Sequence, residues 1–443
     1  MARLEGRKVR VLFINDTARN GGPGRSLFYI LKFLDPKVVH RAVVLPRPGV
    51  IGELYEQGGV VDDLFFEQNL VENPIEPWNR PMQREDFDAA LPLKGVRLAG
   101  NVVRGARAIA RLSALARRGR FDLLYCNGTN ADFAGGALAR TSGVPALWHV
   151  RYTSLPSAVA PLHDRLAASR GVRRIVCVSR AAAALFPHCP EKVSVIHNAL
   201  DVEEFNVSRV TPALRAELGL GPDVIVFGSQ GRILRRKGYI EMVRAAGIAL
   251  KDMSPAEKDR VRFVIIGDTP QDFRPDHLAE CRALAESLGI QKWMHFAGFR
   301  ADVKPYVADF DVAVVPSVYP DPLPRAVIES MAMGKPVIAF DVGGVAEMLA
   351  DGITGTLVRL PRERDVQGGG RESGSDDDSG VRGLAAEFVR YMRDPALRAE
   401  QGKLARARIE REFSGERQAK KIQNQILLAA GFGESVENLE ASP

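Results

Sequence analysis

Short apolar runs alternate with helix-spaced segments along the whole chain. Residues 9–14, 42–45, 123–126, 146–150 and 175–178 read as strands, and a helix over 25–34 follows the first of them after a glycine-rich loop. The runs are nearly unbroken in apolar residues, as in strands covered on both faces. From residue 224 the same alternation restarts, with strands expected at 224–227, 263–266, 294–296, 312–315 and 337–340. Such β–α–β alternation predicts an α/β protein with doubly wound parallel sheets, one in each half. The polar stretch 202–222, which holds two prolines, is the expected join. Ligands of these sheets lie beyond the carboxyl ends of the strands.

Two stretches depart from the alternation. Residues 361–383 hold Gly368-Gly369-Gly370, Asp376-Asp377-Asp378 and few apolar side chains, so a disordered surface insertion is expected there. Residues 385–430 are helical by period, with breaks at Asp394-Pro395 and Ser414-Gly415.

Composition narrows the class. A chain of 443 residues has room for two or three domains, and 46% hydrophobic residues exclude a disordered chain. Cys126, Cys177, Cys189 and Cys281 are far apart and form no C-x-x-C. A disulfide scaffold or zinc site is therefore not expected, and a reducing compartment is. The apolar run 9–14 is too short for a signal peptide. No stretch approaches the roughly 18 apolar residues that a membrane span needs. Charge is uneven: residues 1–200 carry 28 Lys+Arg against 17 Asp+Glu, net +11, and residues 201–443 carry 33 against 37, net −4. A basic half suits nucleic acid, an anionic membrane surface or a phosphorylated substrate, or serves solubility alone.

The most informative motif is residues 321–339, Asp-Pro-Leu-Pro-Arg-Ala-Val-Ile-Glu-Ser-Met-Ala-Met-Gly-Lys-Pro-Val-Ile-Ala. A helix is expected to start near Pro324, since proline is tolerated in a first helical turn. Gly334 stops it and Pro336 prevents its continuation. Asp321 then precedes the helix and Glu329 lies inside it, so both carboxylates can face one pocket beside a helix N-terminus. Backbone N–H groups and the helix dipole there favour phosphate. The combination suits a phosphorylated, polyhydroxylated ligand; a capped structural helix with one surface acid fits the spacing equally well.

Three further motifs carry chemistry. Gly231-Arg232-Ile-Leu-Arg-Arg-Lys237-Gly238 follows the first strand of the second half. Two cations on such a loop would neutralise a diphosphate, although a solvated basic turn reads the same way. Gly21, Gly22 and Gly24 follow the first strand of the chain and allow close approach of backbone to phosphate. The pattern is not G-x-G-x-x-G, which weighs against a nicotinamide-dependent oxidoreductase. His149 ends a strand in Trp148-His149-Val150-Arg151, where a lone histidine is ordinarily structural.

Taken together, these residues resemble the group 1 glycosyltransferases, the glycogen synthase-like nucleotide-sugar transferases. The family motif is Glu, seven residues, Glu, then Ala-Met-Ala-x-Gly-x-Pro-Val-Ile-Ala, and the likeness continues along most of the chain. It implies the GT-B fold, two Rossmann-like domains facing a cleft that holds the active site. The acceptor domain would span 1–200, completed by a C-terminal helix at 415–431, and the donor domain 201–414. By resemblance Glu329 binds the nucleotide ribose, and Asp321 and His149 orient the donor sugar. Arg232 and Lys237 grip the diphosphate, with Gly21 and Gly22 against it. Leu323 and Arg325 retain N–H groups for phosphate on either side of Pro324, which stands in place of the family's glycine. Phe299 and Arg300 lie near the base. Asp321 in place of Glu shortens the reach by one methylene. The stretch from Asn198 to Phe205, with Ala199 in place of the family's Gly, resembles an interdomain hinge motif. Gly343-Gly344 resembles a segment that approaches the donor closely.

The implied activity is retaining, metal-independent transfer of a sugar from a UDP- or GDP-sugar, with no cofactor. The expected acceptor is a glycan, a lipid-linked precursor or a polysaccharide precursor, met in the cytoplasm or at the inner face of the membrane. The alternative is an inactive sugar-nucleotide-binding or scaffold protein on the same fold. Residues 97–120 carry Arg97, Arg104, Arg107, Arg111, Arg117, Arg118 and Arg120 and no acid before Asp122. Val102, Val103, Ala106, Ile109 and Leu112 form an apolar stripe at helical spacing. The segment reads either as a core helix with solvated arginines or as a surface drawn to anionic lipid heads or an anionic acceptor. Residues 73–81, with Trp78, precede it as an expected mobile acceptor loop. No nucleic-acid partner is expected.

Overall fold

The computed structural model describes residues 6–19, 21–70, 91–270, 275–360 and 378–433, with backbone alone for 91–98. Residues 73–81 and 361–377 lie outside the described residues. The chain divides into two compact units, Met1–Leu200 with Phe413–Pro443, and Asp201–Glu412.

The first unit is built on seven parallel strands: β1 (Val9–Asn15), β2 (Val39–Leu45), β3 (Asp63–Phe66), β4 (Leu123–Asn127), β5 (Ala146–Val150), β6 (Val172–Cys177) and β7 (Val193–Val195). Their order is β3-β2-β1-β4-β5-β6-β7. The second unit has six: β8 (Ile225–Gln230), β9 (Val261–Ile266), β10 (Met294–Gly298), β11 (Val312–Val315), β12 (Val337–Phe340) and β13 (Gly355–Val358), in the order β10-β9-β8-β11-β12-β13. Each order reverses direction once, between β1 and β4 and between β8 and β11. A doubly wound sheet opens its ligand crevice at such a reversal.

The central strands are fully buried because helices cover both faces. In the second unit Phe227, Phe263 and Phe388 meet with ring centroids 5.0–5.4 Å apart. Phe388 belongs to helix Ser379–Arg393, which corrects the expected insertion: residues 379–383 are the start of this helix. Val381, Leu384, Ala385, Phe388 and Tyr391 form its buried stripe, and that apolar period outweighs the acidic run before it. The first expected helix also begins earlier, at Gly22, and ends at Phe33.

Helix Leu91–Arg118 meets a second expectation in part: of the expected stripe Leu112 is buried and Ile109 packs against the core, whereas Val102, Val103 and Ala106 are exposed. Its buried face is Ala108, Leu112, Ser113 and Ala116, while Val102 and Val103 are 64% and 49% exposed. The small residues take the core side because that face lies against helix Thr129–Ser142, where Ser113 Oγ meets Thr141 Oγ1 at 2.7 Å. Among the described residues no helix is long and apolar enough to cross a membrane. The four cysteines are buried and free.

The chain returns to its first unit at the end. Gln423 Oε1 of helix Gly415–Ala430 accepts from the Asp35 N–H at 3.0 Å, and Arg173 donates to the Ala429 carbonyl at 2.9 Å. In the second unit Arg406 of helix Pro395–Glu412 is the corresponding fastener. Its Nη1 donates to the carbonyls of Val202, Phe205 and Ala332 at 3.0, 2.7 and 2.6 Å. Arg406→Met leaves three carbonyls without this donor, so a loss of about 2 kcal/mol is expected, read as a lower urea midpoint.

Candidate active site

In the second unit β8 ends at Gln230, and the chain passes through Gly231 and Arg232 into one tight turn, Arg235–Lys237. Gly238 follows with φ +74° and opens helix Tyr239–Asp252. A Cβ at Gly238 would stand 1.6 Å from the Pro316 carbonyl oxygen, so only glycine lets this turn reach the loop after β11. The Val318 N–H donates to the Arg236 carbonyl at 3.0 Å and closes the contact.

That contact puts opposite charges together. Lys237 Nζ lies 2.5 Å from Asp321 Oδ2, and the Tyr319 hydroxyl donates to the same oxygen at 2.9 Å. The Arg236 guanidinium stands 4.8 Å from the Tyr319 ring centroid, a cation–π distance. Burial, then the Asp321 carboxylate, pushes the Tyr319 hydroxyl up, and Arg236 and Arg232 pull it back. Tyr319 therefore stays protonated and donates. Asp321 is itself 5% exposed. Its carbonyl accepts from Gly344 N–H at 2.9 Å, and a Cβ on Gly343, at φ +59°, would lie 2.1 Å from it. The close approach of this glycine pair is to the backbone of Asp321.

Glu329 sits in helix Arg325–Ala332, with Pro324 as its N-cap. Oε1 accepts from Arg325 Nε and Oε2 from Gln230 Nε2, both at 3.0 Å. The carboxylate is thus held between its own helix and the end of β8. Gln230 Oε1 is buried with no hydrogen-bond partner among the described residues. Leu323 is buried and Arg232 is exposed. Phe299, after β10, is 60% exposed. Arg300 is engaged with Glu217 and stands 4.9 Å from the Tyr306 ring centroid.

In the first unit Gly21 caps helix Gly22–Phe33 in an extended conformation, and Gly22 is exposed. At the β1/β4 reversal, Asn127 Nδ2 donates to Asn15 Oδ1 at 2.6 Å. Arg151 Nε donates to Asn127 Oδ1 at 2.7 Å and Nη1 to Asn198 Oδ1 at 2.5 Å. His149 ends β5, 2% exposed, with Nδ1 bonded to the Tyr125 hydroxyl and 3.4 Å from Arg151 Nη2. Burial, then the Arg151 charge, drives the imidazole well below its usual pKa of 6.5, so it is neutral. Arginine only donates, which makes Nδ1 the acceptor and leaves the proton on Nε2. Nε2 is buried and meets no partner among the described residues. A neutral N–H donor held in this way can bond a ligand oxygen.

Sequence reading alone did not single out Gln230, Tyr319, Tyr125, Asn127 or Arg151, and took Asn198 for hinge architecture. A shared signal was available for three positions: Asn15, Asn127 and Gln230 each end an apolar central strand with an amide.

Residues 77–204 match the family model described as Glycosyltransferase Family 4, and residues 221–367 match Glycosyl transferases group 1. Alpha-maltose-1-phosphate synthase of Mycobacterium tuberculosis is 31% identical over 51% of this chain and 54% of its own length. The match therefore spans about half of that relative. D-inositol 3-phosphate glycosyltransferase of Thermobifida fusca is 28% identical over 68% of this chain and 73% of its own. The Anabaena protein HepE, solved with UDP, superposes with a TM-score of 0.70 at 21% identity, covering 93% of this chain and 98% of that one. The likeness establishes the GT-B fold.

The neutral His149 generates a pH prediction. Unfolded, the histidine takes up a proton as pH falls through about 6.5, whereas the folded chain does not. Stability contributed by the buried neutral form is therefore full above that pH and lost below it, by up to about 1.4 kcal/mol per pH unit. Urea melts at pH 7, 6 and 5 should show a shallower loss in His149→Asn than in the wild type. His163, whose pKa burial also lowers, supplies part of the remaining slope.

Proposed function

Since the chain belongs to the group 1 glycosyltransferases, we propose that it moves a sugar from a nucleotide-diphosphate sugar to a hydroxylated acceptor, with retention at the anomeric carbon and without a metal. The observation that carries the reading is the arrangement at the β8/β11 reversal. Lys237 and Arg232 supply positive charge for a leaving diphosphate, and Glu329, fixed by Gln230 and Arg325, offers a carboxylate to ribose hydroxyls. Asp321 and His149 are the groups for the donor sugar. Catalysis then rests on positioning and charge stabilisation. UDP-glucose is the first donor to test, because HepE was solved with it; GDP-sugars come next.

The acceptor reading is a glycan, lipid-linked or polysaccharide precursor, approached from the cytoplasmic side of a membrane. The basic first half and the exposed Val102 and Val103 beside Arg104 and Arg107 support contact with an anionic surface. A second reading, a small phosphorylated polyol or sugar as acceptor, is favoured by the names of the relatives, which carry maltose 1-phosphate and inositol 3-phosphate.

A panel of UDP-, GDP- and ADP-sugars with both acceptor classes, read by product mass, tests the activity. One donor should turn over, and Glu329→Ala should lower kcat/KM by about 100-fold or more. Donor binding without any turnover would favour a binding protein on the same fold. For the membrane, the triple change Arg107→Gln, Arg118→Gln and Arg120→Gln should weaken binding to phosphatidylserine-containing vesicles at least about tenfold, at about 1 kcal/mol per arginine. Unchanged binding would remove that surface from the reading.

A further inference from the structure

We infer that the Lys237–Asp321 ion pair makes the site prefer a sugar-bearing nucleotide over the bare nucleoside diphosphate; this rests on the donor-site reading above. Both partners are mostly sheltered, with side chains 20% and 7% exposed and 2.5 Å between Nζ and Oδ2. A diphosphate arriving alone must draw the ammonium away from a carboxylate already bonded to it. It is also repelled by that carboxylate, and it brings no hydroxyl to satisfy Asp321 in exchange. Breaking one side of a sheltered pair in this way is unfavourable.

A nucleotide sugar changes the balance. Among the described residues, the side-chain hydrogen bonds of Asp321 from Lys237 and Tyr319 both end on Oδ2, so Oδ1 remains for a donor from the ligand. Sugar hydroxyls bonding there would stabilise the carboxylate and release the charge of Lys237 toward the phosphates. Asp321 is then a specificity-determining residue that acts partly through Lys237. Tyr319 is a positioning residue, because its hydroxyl shares the oxygen that Lys237 holds.

The test is calorimetric titration without acceptor, using UDP against UDP-glucose and GDP against GDP-glucose. In Asp321→Asn the internal competitor is gone, so the bare diphosphate should bind about tenfold tighter than to the wild type, and the preference for the sugar-bearing form should disappear. In Tyr319→Phe the carboxylate is left to Lys237 alone, and the bare diphosphate should bind about threefold more weakly. The opposite signs separate the proposal from general damage to the site, which would weaken both ligands in both variants. A diphosphate bound no tighter by folded Asp321→Asn overturns the inference and leaves the donor site standing. If Asp321→Asn does not fold, Tyr319→Phe with unchanged or tighter diphosphate binding overturns it. A wild-type chain that binds neither ligand class overturns the donor-site reading and the inference together.

Discussion

The second unit's site depends on a backbone contact that has no room for a methyl group. Gly238 lies against the carbonyl of Pro316 so closely that any Cβ would overlap the oxygen. This joins the turn after β8 to the loop after β11 across the sheet reversal. Lys237, one residue before the glycine, and Asp321, five after the proline, are brought together as a result. A second glycine contact, Gly343 on the Asp321 carbonyl, holds the same loop from its other side. The main chain brings the two residues within reach of each other, and the Lys237 side chain gives up its rotamer freedom to close the pair.

The two sheet reversals are lined by different polar groups. The second unit pairs formal charges: Lys237 with Asp321, and Arg325 with Glu329. The first surrounds Arg151 with amide oxygens of Asn127 and Asn198 and keeps His149 uncharged beside it. A neutral imidazole is the form that tolerates both burial and a neighbouring guanidinium. The two sheet reversals are therefore lined differently, by paired charges in the second unit and by a guanidinium beside amides and a neutral imidazole in the first.

What could be read in advance follows from where strands lie in the sheets. Central strands announced themselves as continuous apolar runs, and the α/β class with two doubly wound sheets was legible from them; the GT-B fold followed only from the resemblance carried by the motifs. β3, β7 and β13 were not legible, because each is an edge strand of three or four residues with polar positions, indistinguishable from loop by pattern. The charged loop residues were singled out by spacing together with the resemblance, not by spacing alone. Gln230 and Tyr319 were not: an amide at the end of a strand resembles a turn signal, and a loop tyrosine has no period. The stripe on helix Leu91–Arg118 held at Ile109 and Leu112 and misled at Val102 and Val103, because alanine and serine complete the face turned to the core.

The final helix has a consequence for how this chain can be rearranged. Because Gly415–Ala430 belongs to the first unit, residues 201–412 are an uninterrupted excursion from it. The excursion starts and ends at one place: Leu200 bridges Ser414, and the Leu200 N–H donates to the Phe413 carbonyl at 3.4 Å. In genetic terms the second unit is a cassette with adjacent ends, inserted into a host that resumes its own packing afterwards. Such a cassette can be exchanged at two adjacent junctions without breaking either hydrophobic core. A chain organised in this way can change what one unit binds while leaving the other intact.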